Sequence, residues 1–308
     1  MIAENKFSKI VALWKEDKKQ YVKRSTFAAY TLLIENHILP SFGEMALVEE
    51  QDVQTFVFRK LNEGLSHKTI KDILIVLKMI LRFGAKNQMT EYRQIDIKFP
   101  TERDKHSIDI LNRSHQKQIM EYIRLHFTFK NLGIYICLSA GMRIGEICAL
   151  TWDDLDVENG IIHVRKTIQR IYVIEEHRKY TEVILDTPKT KNSIREIPMT
   201  KNLLKMIRPI KKIVNGNFYV LTNEPKPTEP RTYRNYYKQF MQSLGLPLIK
   251  FHGLRHNFAT RCIESKCDYK TVSVLLGHSN ISTTLNLYVH PNLEQKKRCM
   301  EQMSRLLR

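Results

Sequence analysis

Four short stretches of this sequence carry residue types that act on phosphate esters. They are Gly141-Met142-Arg143-Ile144-Gly145-Glu146, Thr187-Pro188-Lys189-Thr190-Lys191, His252-Gly253-Leu254-Arg255-His256, and Leu276-Gly277-His278 followed by Tyr288-Val289-His290. Each alone is a weak signal, since a lone arginine after a glycine turn is usually a surface or cap residue. Together they offer two guanidiniums, at least one ammonium, at least two imidazoles and a phenol, with no carboxylate cluster to hold a metal. A phosphodiester in a five-coordinate transition state gathers negative charge on its non-bridging oxygens. Two arginine forks can clamp those oxygens through charge-assisted, bidentate hydrogen bonds, and Arg143 and Arg255 fit that role. Attack by a phenol would leave a phosphotyrosine that keeps the energy of the broken bond for religation, which makes Tyr288 the candidate nucleophile. The leaving alkoxide needs a proton, which Lys189 could donate from a flexible hairpin, while His252 could take or orient the phenolic proton. His252 and Arg255, three residues apart, would face the same way on a helix.

These groups must be positioned by regular elements. From Ser8 to about Met89 apolar residues recur at helical spacing, as in Phe27, Tyr30, Leu33, Ile34 and Ile38, a run that Pro40 should close. A second helix is expected over Asp52 to Leu61 and a third after Ser66, with Ile70, Ile73, Leu74, Leu77, Ile80 and Leu81 on one side. Residues 90–108 lack periodicity and contain Pro100, which predicts a linker. Helical patterning resumes at Ser114–Leu125, Leu132–Leu138 and Arg143–Leu150. Between Gly160 and Met199 the segments IIHV, IQRIYVI, TEVILD and IREIPM predict a small antiparallel sheet. Beyond the proline-rich turn at Glu224 to Pro230 the pattern is mostly helical.

Composition narrows the partner class. The 308 residues hold 50 Lys+Arg against 32 Asp+Glu, a net charge of +18. Residues 1–98 carry 16 basic and 12 acidic side chains (+4) and residues 99–308 carry 34 and 20 (+14). Any single lysine is adequately explained as a solvated surface group. The total points to nucleic acid, because cationic surfaces gain affinity by releasing its counterions. The longest apolar run, Ile73 to Leu81, is interrupted by Lys78 and is far short of the roughly 20 residues of a membrane span. The N-terminus lacks a signal-peptide apolar region, and five cysteines without a C-x-x-C pair fit a reduced, cytoplasmic protein.

The motifs resemble the signature of the tyrosine recombinase (phage integrase) family. Arg143 in A-G-x-R-x-x-E, His252 and Arg255 in H-x-L-R-H, His278 in L-L-G-H and Tyr288 in T-T-x-x-x-Y-x-H match it in type and order. The N-terminal S-T-x-x-x-Y, H-I-x-P-x-F-G and S-x-K-T-I stretches are similar to the family's core-binding domain. The resemblance implies a mainly α chain with a small antiparallel β-sheet. An all-α, SAM-like core-binding domain would occupy 1–95, a linker 96–108, and an α+β catalytic domain 109–308, with a tail from about 289. It implies Arg143, Lys189, His252, Arg255, His278 and the nucleophile Tyr288 as catalytic residues, with no cofactor, metal or ATP. It also implies double-stranded DNA at paired sites as substrate, a homotetramer that exchanges strands through a Holliday junction, and integration or excision of a mobile element. The protein would work in the cytoplasm at the nucleoid, with room for an excision factor or DNA-bending protein as partner, and its C-terminal tail would dock on a neighbouring protomer. The family's lysine precedes a basic residue and a V/I-P-L motif. Lys189 and Lys191 both precede Arg195-Glu196-Ile197-Pro198-Met199, and the P-K-T context favours Lys189. With helix starting near Ser8, an additional arm-binding domain is not expected.

Three other readings share part of this pattern. A metal site could use His252, His256 and His278, but a zincin helix needs Glu after the first histidine where this sequence has Gly253. His256 then reads as a packing or hydrogen-bonding residue of its helix, and Glu146 as one that orients its neighbours. A type IB topoisomerase would use the same chemistry without paired sites. A binding module that has lost catalysis would not need competent residues at all six positions.

Overall fold

The computed structural model describes residues 6–91, 94–101, 109–175, 178–188, 191–288 and 293–306, with the backbone alone for residues 191, 287, 288, 293–295, 298, 299 and 306. The chain divides into two compact units, Met1–His106 with Arg170–Glu182, and Ser107–Gln169 with Val183–Arg308.

The first unit is built on α1 (Phe7–Lys19), α2 (Arg24–Leu33), α3 (Leu39–Phe42), α4 (Glu50–Asn62) and α5 (His67–Lys86). All six apolar residues expected on one side of α5 are buried. Ser66 caps that helix by accepting the Thr69 N–H at 3.2 Å. Each buried aliphatic side chain contributes roughly 1.5–3 kcal/mol against about 1 kcal/mol for the cap, so packing rather than capping holds α5 in place. Phe7, Ile10 and Trp14 of α1 and Val53, Phe56 and Val57 of α4 complete the core with α5.

Pro40 does not close its helix. Residues Ile34–Ile38 form a π-helical turn, in which the Leu39 N–H reaches back to the Ile34 carbonyl, and α3 then carries the chain on to Phe42. The widened turn takes the ladder out of the i→i−4 register that a proline ring would obstruct, and Pro40 falls in the first turn of α3, where proline is tolerated. Part of the expected linker is also packed: Ile95 is buried, the Asp96 N–H donates to Glu50, and the Lys98 N–H donates to Gln54.

The second unit contains α6 (Arg113–Leu125), α7 (Phe129–Ala140), α8 (Ile144–Ala149), α9 (Lys201–Lys211), α10 (Pro230–Ser243), α11 (Phe251–Glu264), α12 (Tyr269–Leu276), α13 (Ile281–Tyr288) and α14 (Leu293–Leu306). Every residue of α7 from Asn131 to Ala140 is buried, as expected of a helix apolar on all sides, and α11 packs along it. In place of the single expected sheet, the described residues form two. Strands β1 (Leu155–Asp156), β2 (Ile161–Val164) and β5 (Arg195–Pro198) form an antiparallel sheet in which Ile162 faces Leu155 on one side and Ile197 on the other. Strands β3 (Thr167–Glu175) and β4 (Arg178–Asp186) pair separately, as a ribbon of which Arg170–Glu182 fall in the first unit. The two-residue β1 is too short to leave a sequence pattern. Among the described residues no helix is long and apolar enough to cross a membrane.

Candidate active site

The site is assembled around the carbonyl end of α12. Its last turn stops at Gly277, which adopts φ +66°, a left-handed conformation open to glycine at little cost. A Cβ there would also lie 2.9 Å from the Asn192 carbonyl oxygen and 3.1 Å from Cδ of Arg195. The turn leaves three successive carbonyls pointing outward, and three arginines from distant parts of the unit donate to them. Arg195 Nε donates to the Leu275 oxygen at 2.6 Å, Arg255 Nη2 to the Leu276 oxygen at 2.7 Å, and Arg143 Nη2 to the Gly277 oxygen at 3.1 Å. A helix C-terminus carries partial negative charge on its unpaired carbonyls, which favours cations there.

Each arginine has its own support. Arg143 precedes α8 as its cap residue, placed by the left-handed Gly141 that ends α7. A side chain on Gly141 would run into the Phe258 ring. The Arg143 backbone N–H donates to Glu146 Oε2 at 2.9 Å and its Nη1 donates to Oε1 at 2.8 Å. Glu146 also accepts both Nη groups of Arg195, at 3.1 and 3.0 Å. Burial pushes the Glu146 carboxyl up, but Arg195 and Arg143 more than offset this and hold it below the ordinary carboxylate value. Arg255, in the first turns of α11, is 1% exposed and also donates Nη1 to the Gly141 carbonyl at 2.8 Å. The side chain of Arg143 is 36% exposed, so of the three it is the one that faces solvent.

The histidines stand in this cationic field. His278 follows Gly277 directly, and its Nδ1 hydrogen-bonds the hydroxyl of fully buried Thr284 at 2.8 Å. Burial, then the charges of Arg255, Arg143 and Arg195, press its pKa down to about 4. Burial likewise lowers His252 to about 4, followed by His256, Arg255 and Arg143. His256 packs edge-on against the His252 ring, with centroids 4.7 Å apart. Both His252 and His278 are therefore neutral near pH 7 and able to accept a proton. A cleft of about 420 Å³ opens here, lined by Arg143, Thr167, Gln169, Pro188, Ser193, His278 and Thr283 among others. Among the described residues no three His, Cys, Asp or Glu side chains converge as a metal site.

Of the six expected residues the structure gathers Arg143, Arg255 and His278 at one helix end and places His252 one turn before Arg255. Tyr288 ends α13, which packs on α11 and α12; its side chain lies outside the described residues, as does the whole of Lys189. Lys191 opens a 3₁₀ turn, Lys191–Ser193, just before β5, with its side chain likewise outside them. Sequence reasoning missed Arg195 and Thr284. Arg195 left one signal: in an alternating strand it shares the inward face with Ile197, a place where a charge needs a buried partner.

A helical unit followed by a mainly helical unit that collects arginines and neutral histidines beside a tyrosine-bearing helix is the architecture of an enzyme acting on phosphodiesters. The chain belongs to the phage integrase family of tyrosine recombinases: the pattern of the Phage integrase family matches residues 109–295, and that of the phage integrase N-terminal SAM-like domain matches residues 6–60. As such it is a DNA-cleaving and DNA-rejoining enzyme of site-specific recombination. It is 31% identical to the tyrosine recombinase XerC-like protein of Caldanaerobacter subterraneus subsp. tengcongensis, over 92% of this chain and 78% of that protein. Its fold is similar to that of the Tn1549 transposon integrase in complex with transposon right end DNA, with a TM-score of 0.79 and 23% identity over 97% of this chain and 100% of that one. It is also similar in fold to lambda integrase, solved as a tetramer bound to a Holliday junction, with a TM-score of 0.62 and 16% identity over 92% of this chain and 77% of that one.

Proposed function

We propose that this enzyme integrates or excises a mobile element by cutting DNA through a 3′-phosphotyrosine on Tyr288, with strands exchanged through a Holliday junction by four protomers. The observation that carries this is the convergence of Arg143, Arg255 and His278 on the end of α12, with Tyr288 one helix further along. The phenol of Tyr288 attacks phosphorus, passing its proton to neutral His252. The bond to the 5′ oxygen breaks as that oxygen takes a proton from Lys189, and Arg143 and Arg255, with His278 beside them, stabilise the charge on the non-bridging oxygens. Religation is the reverse. Arg195 and Glu146 act by holding Arg143 in place. Double-stranded DNA as substrate is supported by the net charge of +18 and by the DNA-bound Tn1549 integrase of similar fold. Assembly as a tetramer is supported by the lambda integrase tetramer, and by α14, which exposes Met300 and Met303 (60% and 43%) as a surface for a neighbouring protomer.

The test is to express wild type and Tyr288→Phe in cells, isolate protein-linked DNA under denaturing conditions, and sequence the ends. Adducts from wild type alone, recurring at one sequence, are the expected result. Scattered ends would favour a topoisomerase-like activity, and equal recovery from Tyr288→Phe would overturn the assignment.

A further inference from the structure

The end of α11 away from His252 carries a second arrangement that the recombination chemistry does not use. The helix stops in a complete Schellman turn: the Lys266 N–H donates to the Ile263 carbonyl at 2.9 Å, the Cys267 N–H donates to the Cys262 carbonyl at 3.0 Å, and Lys266 takes the left-handed φ of +60°. That turn brings the side chains at the first and last of its six positions together, and a hydrophobic pair commonly fills them. Here both are cysteines, Cys262 and Cys267, each a free thiol, so the turn sets two thiols at the paired positions. Cys267 is exposed, whereas Cys262 is half-buried against the cluster of Phe258, Ala259, Val272 and Leu276. Burial, then the neighbouring Cys267, pushes the Cys262 thiol up to about 12, so Cys262 holds its proton in the resting pair.

We propose that Cys262 and Cys267 form an oxidation-responsive dithiol that closes to an intrachain disulfide with hydroperoxides and thereby protects this end of α11 from irreversible oxidation. The Cys267 thiolate attacks the peroxide, forming an S–O bond as the O–O bond breaks and the departing oxygen leaves as hydroxide or alkoxide. Cys262 then displaces the sulfenic oxygen as water and forms the S–S bond. Two thiols lose two electrons and two protons in all, and the peroxide O–O bond is reduced. Because both cysteines belong to one turn that ends before α12 begins, closure would leave α12 in place, and the carbonyls of Leu275, Leu276 and Gly277 would keep their arginines.

The test uses the full chain with Cys299→Ser, since Cys137 and Cys148 are buried. After hydrogen peroxide and alkylation, trypsin cuts behind Arg261 and Lys266, so a Cys262–Cys267 disulfide appears as two linked peptides that dithiothreitol separates. The expected result is that linked pair, with DNA cleavage retained, and accumulation of sulfinic or sulfonic acid at Cys267 only when Cys262→Ser is added. Separate alkylation of both cysteines after peroxide, or the same over-oxidation of Cys267 with and without Cys262, would overturn the proposal.

Discussion

Replacing Glu146 by glutamine isolates what its buried charge does, because size and shape are kept. The carboxylate side chain is 2% exposed and bridges Arg195, whose side chain is 4% exposed, and Arg143. The amide would leave both guanidiniums without their counter-charge and turn an N–H donor toward one of them. Breaking a buried ion pair on one side costs about 3–5 kcal/mol. In a unit of about 190 residues, 1 kcal/mol shifts the melting temperature by roughly 2–4 °C, so Glu146→Gln should lower it by about 6–20 °C. Trp152, buried in the second unit, gives a fluorescence signal for its unfolding once Trp14 of the first unit is replaced by Phe. The depressed carboxyl adds a pH signature. Its contribution is complete above the ordinary carboxylate value near 4.3 and is lost as pH falls toward the lower native value, so wild type and variant should converge in acid. A melting temperature within about 2 °C of wild type at pH 7 would refute the reasoning.

Other outcomes follow from the histidines. NMR titration of the free protein should show His252 and His278 neutral from pH 8 to 5.5 and protonating near pH 4. Because the unfolded chain takes up protons from about pH 6.5, their contribution to stability should be whole above that value and decline as pH falls from 6.5 toward 4, which denaturant midpoints at pH 7 and 5 would measure. Thr284→Val removes the hydroxyl that orients His278 and should slow DNA cleavage about 10- to 100-fold while DNA affinity is kept, with Thr284→Ser restoring the rate.

The helices were legible wherever a long apolar face met a clear terminus. Ser66 and the six buried residues of α5 are one case, and the left-handed Gly141 that throws the chain into Arg143 is another. The π turn before Pro40 was not legible, since it is set by ladder register rather than by residue type. The division of the strands into a sheet and a separate ribbon was also hidden, because pairing is a long-range choice that alternation cannot specify. Motif order picked out residues that the fold does bring together, such as Arg143 and Arg255, which lie far apart in sequence. The supports escaped notice: Arg195 works through Glu146 and a carbonyl 80 residues away, and Thr284 through one hydrogen bond to a ring. Such roles depend on three-dimensional closure and carry no local pattern.

The central claim is that Tyr288 becomes covalently joined to DNA. It is tested most directly by digesting purified DNA-trapped protein to peptides and locating the modified residue by mass spectrometry. The account predicts a nucleotide attached through its 3′ phosphate to the peptide containing Tyr288, absent from Tyr288→Phe. A nucleotide on any other residue, or a 5′ linkage, would contradict it.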